Sequence, residues 1–123
     1  MRYEELYQIL DNRFPELAAQ ISHFVDTQGD EFLPHILYHE VLNPYVKELL
    51  WGANNNDSLE KVFQFYEELA TSEDEEARNL LQVTLLEILW DENRLLRRAC
   101  AYMLPETKKL NEAIREYISY PNE

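Results

Sequence analysis

The stretch that decides the fold is residues 72–90, SEDEEARNLLQVTLLEILW. It opens with Ser72-Glu73-Asp74-Glu75, a capping box in which Ser72 caps a helix and Glu75 reaches back to it. Behind the box, Ala77, Leu80, Leu81, Val83, Thr84, Leu85, Ile88 and Leu89 recur at helical spacing. They cover nearly the whole circumference, as on a helix surrounded by others. This segment predicts the central helix of an all-α fold.

Working outward, the neighbours are helical too. Asp57 and Glu60 have capping-box spacing and open a helix that buries Leu59, Val62, Phe63, Tyr66, Leu69 and Ala70. Asp91 is placed to cap a helix carrying Leu95, Leu96, Ala99, Tyr102 and Met103. Pro105 ends that helix and starts the last one, with Leu110, Ala113, Ile114, Tyr117 and Ile118 inside. The connections are short, so the C-terminal half reads as two antiparallel, HEAT-like hairpins over 57–89 and 91–119. Upstream, Tyr3, Leu6, Tyr7 and Leu10 mark a first helix, and Pro15 to Val25 a second that stops before Gly29. A third runs from Pro34 to Trp51, with a kink or break expected near Leu42-Asn43 because Pro44 removes a backbone bond; Asn43 could cap the restart. The tail from Tyr120 to Glu123 is expected to fray. The whole makes about six or seven helices in a single domain, residues 1–123.

Composition agrees and narrows the function. Apolar types make up 46% of 123 residues, enough for a core, and only Gly29 and Gly52 are glycines. One cysteine, Cys100, rules out an intramolecular disulfide and suits a reducing compartment. The first residues lack an apolar signal core, and no apolar run approaches the ~20 residues that span a bilayer. The chain therefore reads as cytoplasmic. Its net charge is −13, with 11 acidic against 4 basic residues over 1–61 and 13 against 7 over 62–123. A field of that sign, spread over the folded surface, repels nucleic acid and anionic membranes and attracts basic proteins.

Catalytic and metal-binding patterns are sparse. His35 and His39 lie four apart on a predicted helix, a spacing found in zinc sites, with Glu31 or Glu40 as a third ligand. His-Glu-x-x-His is absent, because Ile36 follows His35, so ordinary interfacial histidines are the better reading. Paired carboxylates such as Asp30/Glu31, Glu67/Glu68 and Asp91/Glu92 sit at helix starts or on polar faces, where they remain ionised. No serine lies in a nucleophile elbow, and there is no phosphate-binding glycine loop. Neither an enzyme nor a cofactor is expected. Arg94, Arg97, Arg98, Lys108 and Lys109 are expected to pair internally with Asp91, Glu92, Glu106 and Glu112.

The candidate binding residues are acidic and aromatic. Glu73, Asp74, Glu75 and Glu76 form one cluster, and Glu67 and Glu68 a second patch. Eight tyrosines and two tryptophans exceed what a small core needs, and Tyr38, Tyr45, Trp51 and Trp90 are candidate anchors. Such a surface fits a basic protein partner.

Three segments carry a resemblance. They are Phe32-Leu33-Pro34-His35; Glu67-Glu68-Leu69-Ala70 through Asp74-Glu75-Glu76 to Leu80-Leu81-Gln82-Val83 and Leu86-Glu87; and Met103-Leu104-Pro105-Glu106-Thr107. Together they resemble a family of small, acidic, all-helical bacterial proteins, some encoded near polymorphic toxins. The resemblance implies an immunity protein that binds and neutralises a cognate toxin, such as a nuclease. It implies no catalytic residue. The alternative expectation is a HEAT-like adaptor in a regulatory assembly.

Overall fold

Prolines mark where helices begin. A computed structural model describes residues 1–29 and 32–118, and within these residues it forms seven helical rods and no strand. Asp30, Glu31, Ser119 and the tail 120–123 lie outside the described residues. The rods are α1 (residues 3–13), α2 (15–28), α3 (34–51), α4 (56–70), α5 (75–91), α6 (93–100) and α7 (105–118). Pro15, Pro34 and Pro105 each stand at the first position of a rod, where a missing N–H costs nothing. Gly29 ends α2 with φ +86°, a conformation open to glycine, while its N–H donates to Val25 O.

Pro44 does not break α3. The rod runs on because the turn before it widens into a π-helix over Tyr38–Leu42, in which the Asn43 N–H reaches Tyr38 O, five residues back. The wide turn accommodates the proline ring that would otherwise meet the preceding carbonyls. Asn43 is thus no restart cap but a buried residue inside a continuous helix.

The helix starts also differ in detail from the sequence reading. At α5 the cap is Asp74, whose carboxylate accepts from the Glu76 N–H at 3.0 Å. Ser72 is buried instead; its hydroxyl accepts from the Asp74 N–H and donates to Met1 O at 2.5 Å. The α4 rod begins at Asn56 without a side-chain cap, so the Asp57/Glu60 box does not form. Asp91 closes the 3-10 turn Glu87–Asp91 that ends α5, and α6 starts two residues later.

The core gathers on α4 and α5. α4 (Asn56–Ala70) buries Leu59, Val62, Phe63, Phe65, Tyr66, Leu69 and Ala70. It packs against α3, α5 and α7. The α5 rod begins as Glu75–Asn79, widens to a π-helix over Leu80–Leu86, and buries Leu80, Leu81, Leu85, Leu86 and Leu89. Val83, expected in the apolar stripe, is instead 40% exposed. The α6 rod packs on α3 and on the last turn of α5, while α7 lies along α4 and the π segment of α5. Aromatic rings knit the centre: Phe14 meets Phe65 edge-on at 5.3 Å, and Phe63 meets Tyr66 at 4.9 Å.

The basic residues tie helices together. The Arg98 guanidinium donates to Leu50 O at 2.6 Å and to Gly52 O, satisfying carbonyls at the C-terminal end of α3. Arg94 lies over the Trp51 ring, 4.5 Å from its centroid. Among the expected internal ion pairs, Lys109 with Glu106 forms at 3.1 Å.

Tyr66 is wholly buried, and its hydroxyl has no hydrogen-bond partner among the described residues. A buried polar group left unpaired costs about 1–3 kcal/mol. Tyr66→Phe keeps the ring and removes the group, so it is expected to leave stability unchanged or raise it by about 1 kcal/mol in urea denaturation. A clear loss of stability would mean that the hydroxyl is bonded in solution.

Candidate functional site

The candidate anchors and carboxylates divide by what they touch. Tyr38, expected as an exposed anchor, belongs to the core: it is wholly buried, and its hydroxyl donates to Leu6 O at 2.8 Å. Tyr45 is half-buried and donates to Glu16 at 2.7 Å. Burial and then the Glu16 carboxylate push its pKa up to about 12. Trp51 is 47% exposed beneath Arg94. Trp90 is half-buried, and its indole N–H donates to Asn111 Oδ1 at 3.0 Å.

Among the carboxylates, Glu67 caps α7. It accepts from the N–H groups of Glu106 and Thr107 and from the Thr107 hydroxyl, at 3.0, 2.9 and 2.9 Å. Burial alone would raise its pKa, but these hydrogen bonds and the Lys109 charge outweigh it and hold the carboxyl below its usual value. Glu68 accepts from Arg13. Asp74 accepts from the Tyr3 N–H at 2.7 Å as well as capping α5. Glu68, Glu73 and Asp74 come together around Met1 and Arg2. Glu73, Glu75 and Glu76 are exposed and form no ion pair among the described residues.

His35 and His39 do share a face, and it opens on a groove of about 580 Å³ between α3 and α5. The groove is lined by these two histidines, Ile36, Val83, Thr84 and Ile88, with Glu87, Trp90 and Asp91 toward one end of α5. Its floor is a polar chain. His35 Nδ1 lies 2.6 Å from the Thr84 hydroxyl, Asn43 donates to Thr84 O at 3.0 Å, and Asn43 Nδ2 is 3.5 Å from His39 Nδ1. Tyr117 donates to Glu87 at 3.0 Å. Burial and then Glu87 push the Tyr117 pKa up to about 12.

Sequence reasoning missed Asn43, Thr84, Glu87 and Asp91 as parts of this site, although the spacing carried the signal. His35, His39 and Asn43 recur every four residues on α3, and Thr84, Glu87 and Asp91 recur at three and four on α5. The histidines engage Thr84 and Asn43 rather than a ligand set. Among the described residues no three His, Cys, Asp or Glu side chains are placed to hold a metal ion. Glu31, the third ligand considered, lies outside the described residues, and Glu40 stands 4.0 Å from His39 Nε2. A nucleophile–base pair also needs a group orienting the base and donors for a developing oxyanion. Thr84 and His35 supply such a pair. The groove has an apolar wall, hydrogen-bonding groups in the floor and carboxylates at the end.

Two predictions follow from this geometry. Glu67→Ala, which strips three hydrogen bonds from the start of α7, is expected to cost about 1–3 kcal/mol in urea denaturation. The same change at exposed Glu75 should stay within about 0.5 kcal/mol. For His35, burial lowers the pKa from the ordinary 6.5, with the Glu76 charge opposing in part. Between its two pKa values the unfolded chain binds a proton that the folded chain does not, so stability falls as pH drops below about 7 and levels beneath the lowered pKa. His35→Gln should flatten that part of the stability–pH curve. It should leave the acid-side loss below about pH 4.5, where Glu16, Glu67 and Asp74 hold lowered pKa values. An unaltered curve near neutrality would contradict the His35 assignment.

No described helix is long and apolar enough to cross a membrane. No curated protein and no solved structure is significantly similar to the chain. The family model described as "Domain of unknown function (DUF7674)" matches residues 7–119, nearly the whole chain. The protein therefore belongs to the DUF7674 domain family.

Proposed function

We propose that the protein is a binding domain for a basic protein partner, acting as a stoichiometric inhibitor of the immunity type. The observation that carries this reading is the surplus of unpaired negative charge on a well-packed surface. Net charge is −13, and exposed Glu73, Glu75 and Glu76 make no ion pair among the described residues. Such charge speeds encounter with a cationic partner by roughly 10- to 1000-fold. The resemblance to small acidic proteins encoded near toxins supports an inhibitor, with a basic toxin domain such as a nuclease as the partner. A cytoplasmic location and the absence of turnover belong to the same proposal.

The second reading, a HEAT-like adaptor in a regulatory assembly, draws on the groove between α3 and α5, which suits docking with little dependence on charge. Salt separates the two. Tagged protein pulled from its native cells at low salt should bring down one basic protein in stoichiometric amount. That complex should dissociate in a high-salt wash and weaken about tenfold or more in a Glu73→Gln/Glu75→Gln/Glu76→Gln variant. Salt-insensitive capture of a larger assembly, unchanged by the triple substitution, would overturn the inhibitor reading in favour of the adaptor.

A further inference from the structure

Two helices widen into π segments at the same place. Tyr38–Leu42 of α3 and Leu80–Leu86 of α5 pack against each other, and both contribute to the groove wall, through His39 and through Val83 and Thr84. Such widening is rare in helices and occurs frequently at functional sites. Here it coincides with two aliphatic side chains left open to solvent, Ile36 at 42% and Val83 at 40%. Along the α5 wall these give way to Ile88, Trp90, Glu87 and Asp91.

The carboxylates that line the groove stand at the Trp90 end of α5. Among the described residues the groove's lining includes Glu87 and Asp91 and no Lys or Arg, Glu40 stands beside His39, and Glu76 acts electrostatically on His35. Arg115 lies over the Trp90 ring at 6.0 Å. Burial lowers the His35 pKa and so favours its neutral form. An apolar wall running into carboxylates selects its occupant by charge complementarity.

We propose that this groove seats a basic amphipathic helix of the protein partner, with aliphatic side chains against Ile36, Val83 and Ile88 and a Lys or Arg at Glu87 and Asp91. The floor atoms at His35, Thr84 and Asn43 remain bonded to one another beneath it. The inference rests on the protein-binding reading above and assigns that binding to one surface. The N-terminal acidic cluster of α5 then steers approach, while the groove holds the partner.

The test uses the full chain with Trp51→Phe, so that Trp90 is the sole tryptophan. The probe is a synthetic amphipathic Leu/Lys helix, with a Ser/Lys peptide of equal charge as its control. Titration with the Leu/Lys peptide should change Trp90 fluorescence, and the Ser/Lys peptide should bind about tenfold more weakly or worse. Val83→Arg and Asp91→Asn alter exposed residues, and circular dichroism will verify their fold. Each should weaken Leu/Lys binding about tenfold, whereas Glu73→Gln/Glu75→Gln should weaken it by less and mainly at low salt. Equal binding of both peptides, or binding untouched by Val83→Arg and Asp91→Asn, would overturn the groove assignment while leaving the salt-sensitive pull-down intact. Absence of any Trp90 response would overturn it as well. Loss of the salt-sensitive partner in the pull-down, with peptide binding retained, would instead remove the inhibitor reading and keep the groove.

Discussion

Asn43 donates to Thr84 O, and much of the structure's organisation can be traced to that buried hydrogen bond. It joins a residue that directly follows one π segment to a carbonyl inside the other, so the two widened stretches are held in register. Pro44 makes the first widening useful, and the second lets α5 turn its leucines inward while Val83 remains outside. With α3 and α5 fixed at that point, His35 meets Thr84, His39 meets Asn43, and the groove has a polar floor. A buried amide is costly to leave unmatched, so this contact specifies one arrangement as well as stabilising it.

The acidic residues do two kinds of work. Glu67, Glu68, Asp74 and Glu16 are engaged by N–H groups, by Arg13, by Lys61 or by Tyr45, and they position helices. Among the described residues Glu73, Glu75 and Glu76 form no ion pair, and they contribute to the field around the molecule. Neighbours in sequence fall on opposite sides of this division. Glu67 and Asp74 face another rod's backbone or the chain's first residues, whereas Glu73 and Glu75 face solvent.

Helix number and order were legible in the sequence because apolar spacing and three of the five prolines act locally. Pro15, Pro34 and Pro105 start rods where expected, and the leucines of residues 80–89 lie inside. The π turn at Tyr38–Leu42 was not legible, since Pro44 alone does not say whether a helix breaks, bends or widens. Asp74 displaced Ser72 as cap because Met1 O and the Tyr3 N–H compete for both side chains, and that competition spans 71 residues. Tyr38 illustrates the limit for aromatics. Its ring chemistry is the same at an interface and in a core, and only the partner of its hydroxyl, Leu6 O, distinguishes them. The groove required two rods to be placed side by side, and no pattern within either rod announces that.

The ties from Ser72 and Asp74 to Met1 and Tyr3 bear on the order in which the chain can assemble. Neighbouring rods such as α4 and α5 meet through short connections and can pair early, with little loop entropy lost. The contacts from Met1 and Tyr3 to Ser72 and Asp74 span 71 residues, so they close a long loop at a larger entropic cost than contacts between neighbouring rods. The first turn of α1 has no fully buried side chain, whereas Leu6 and Leu10 just beyond it lie in the core, so the ties to Ser72 and Asp74 are what fasten the extreme end of the chain to the bundle.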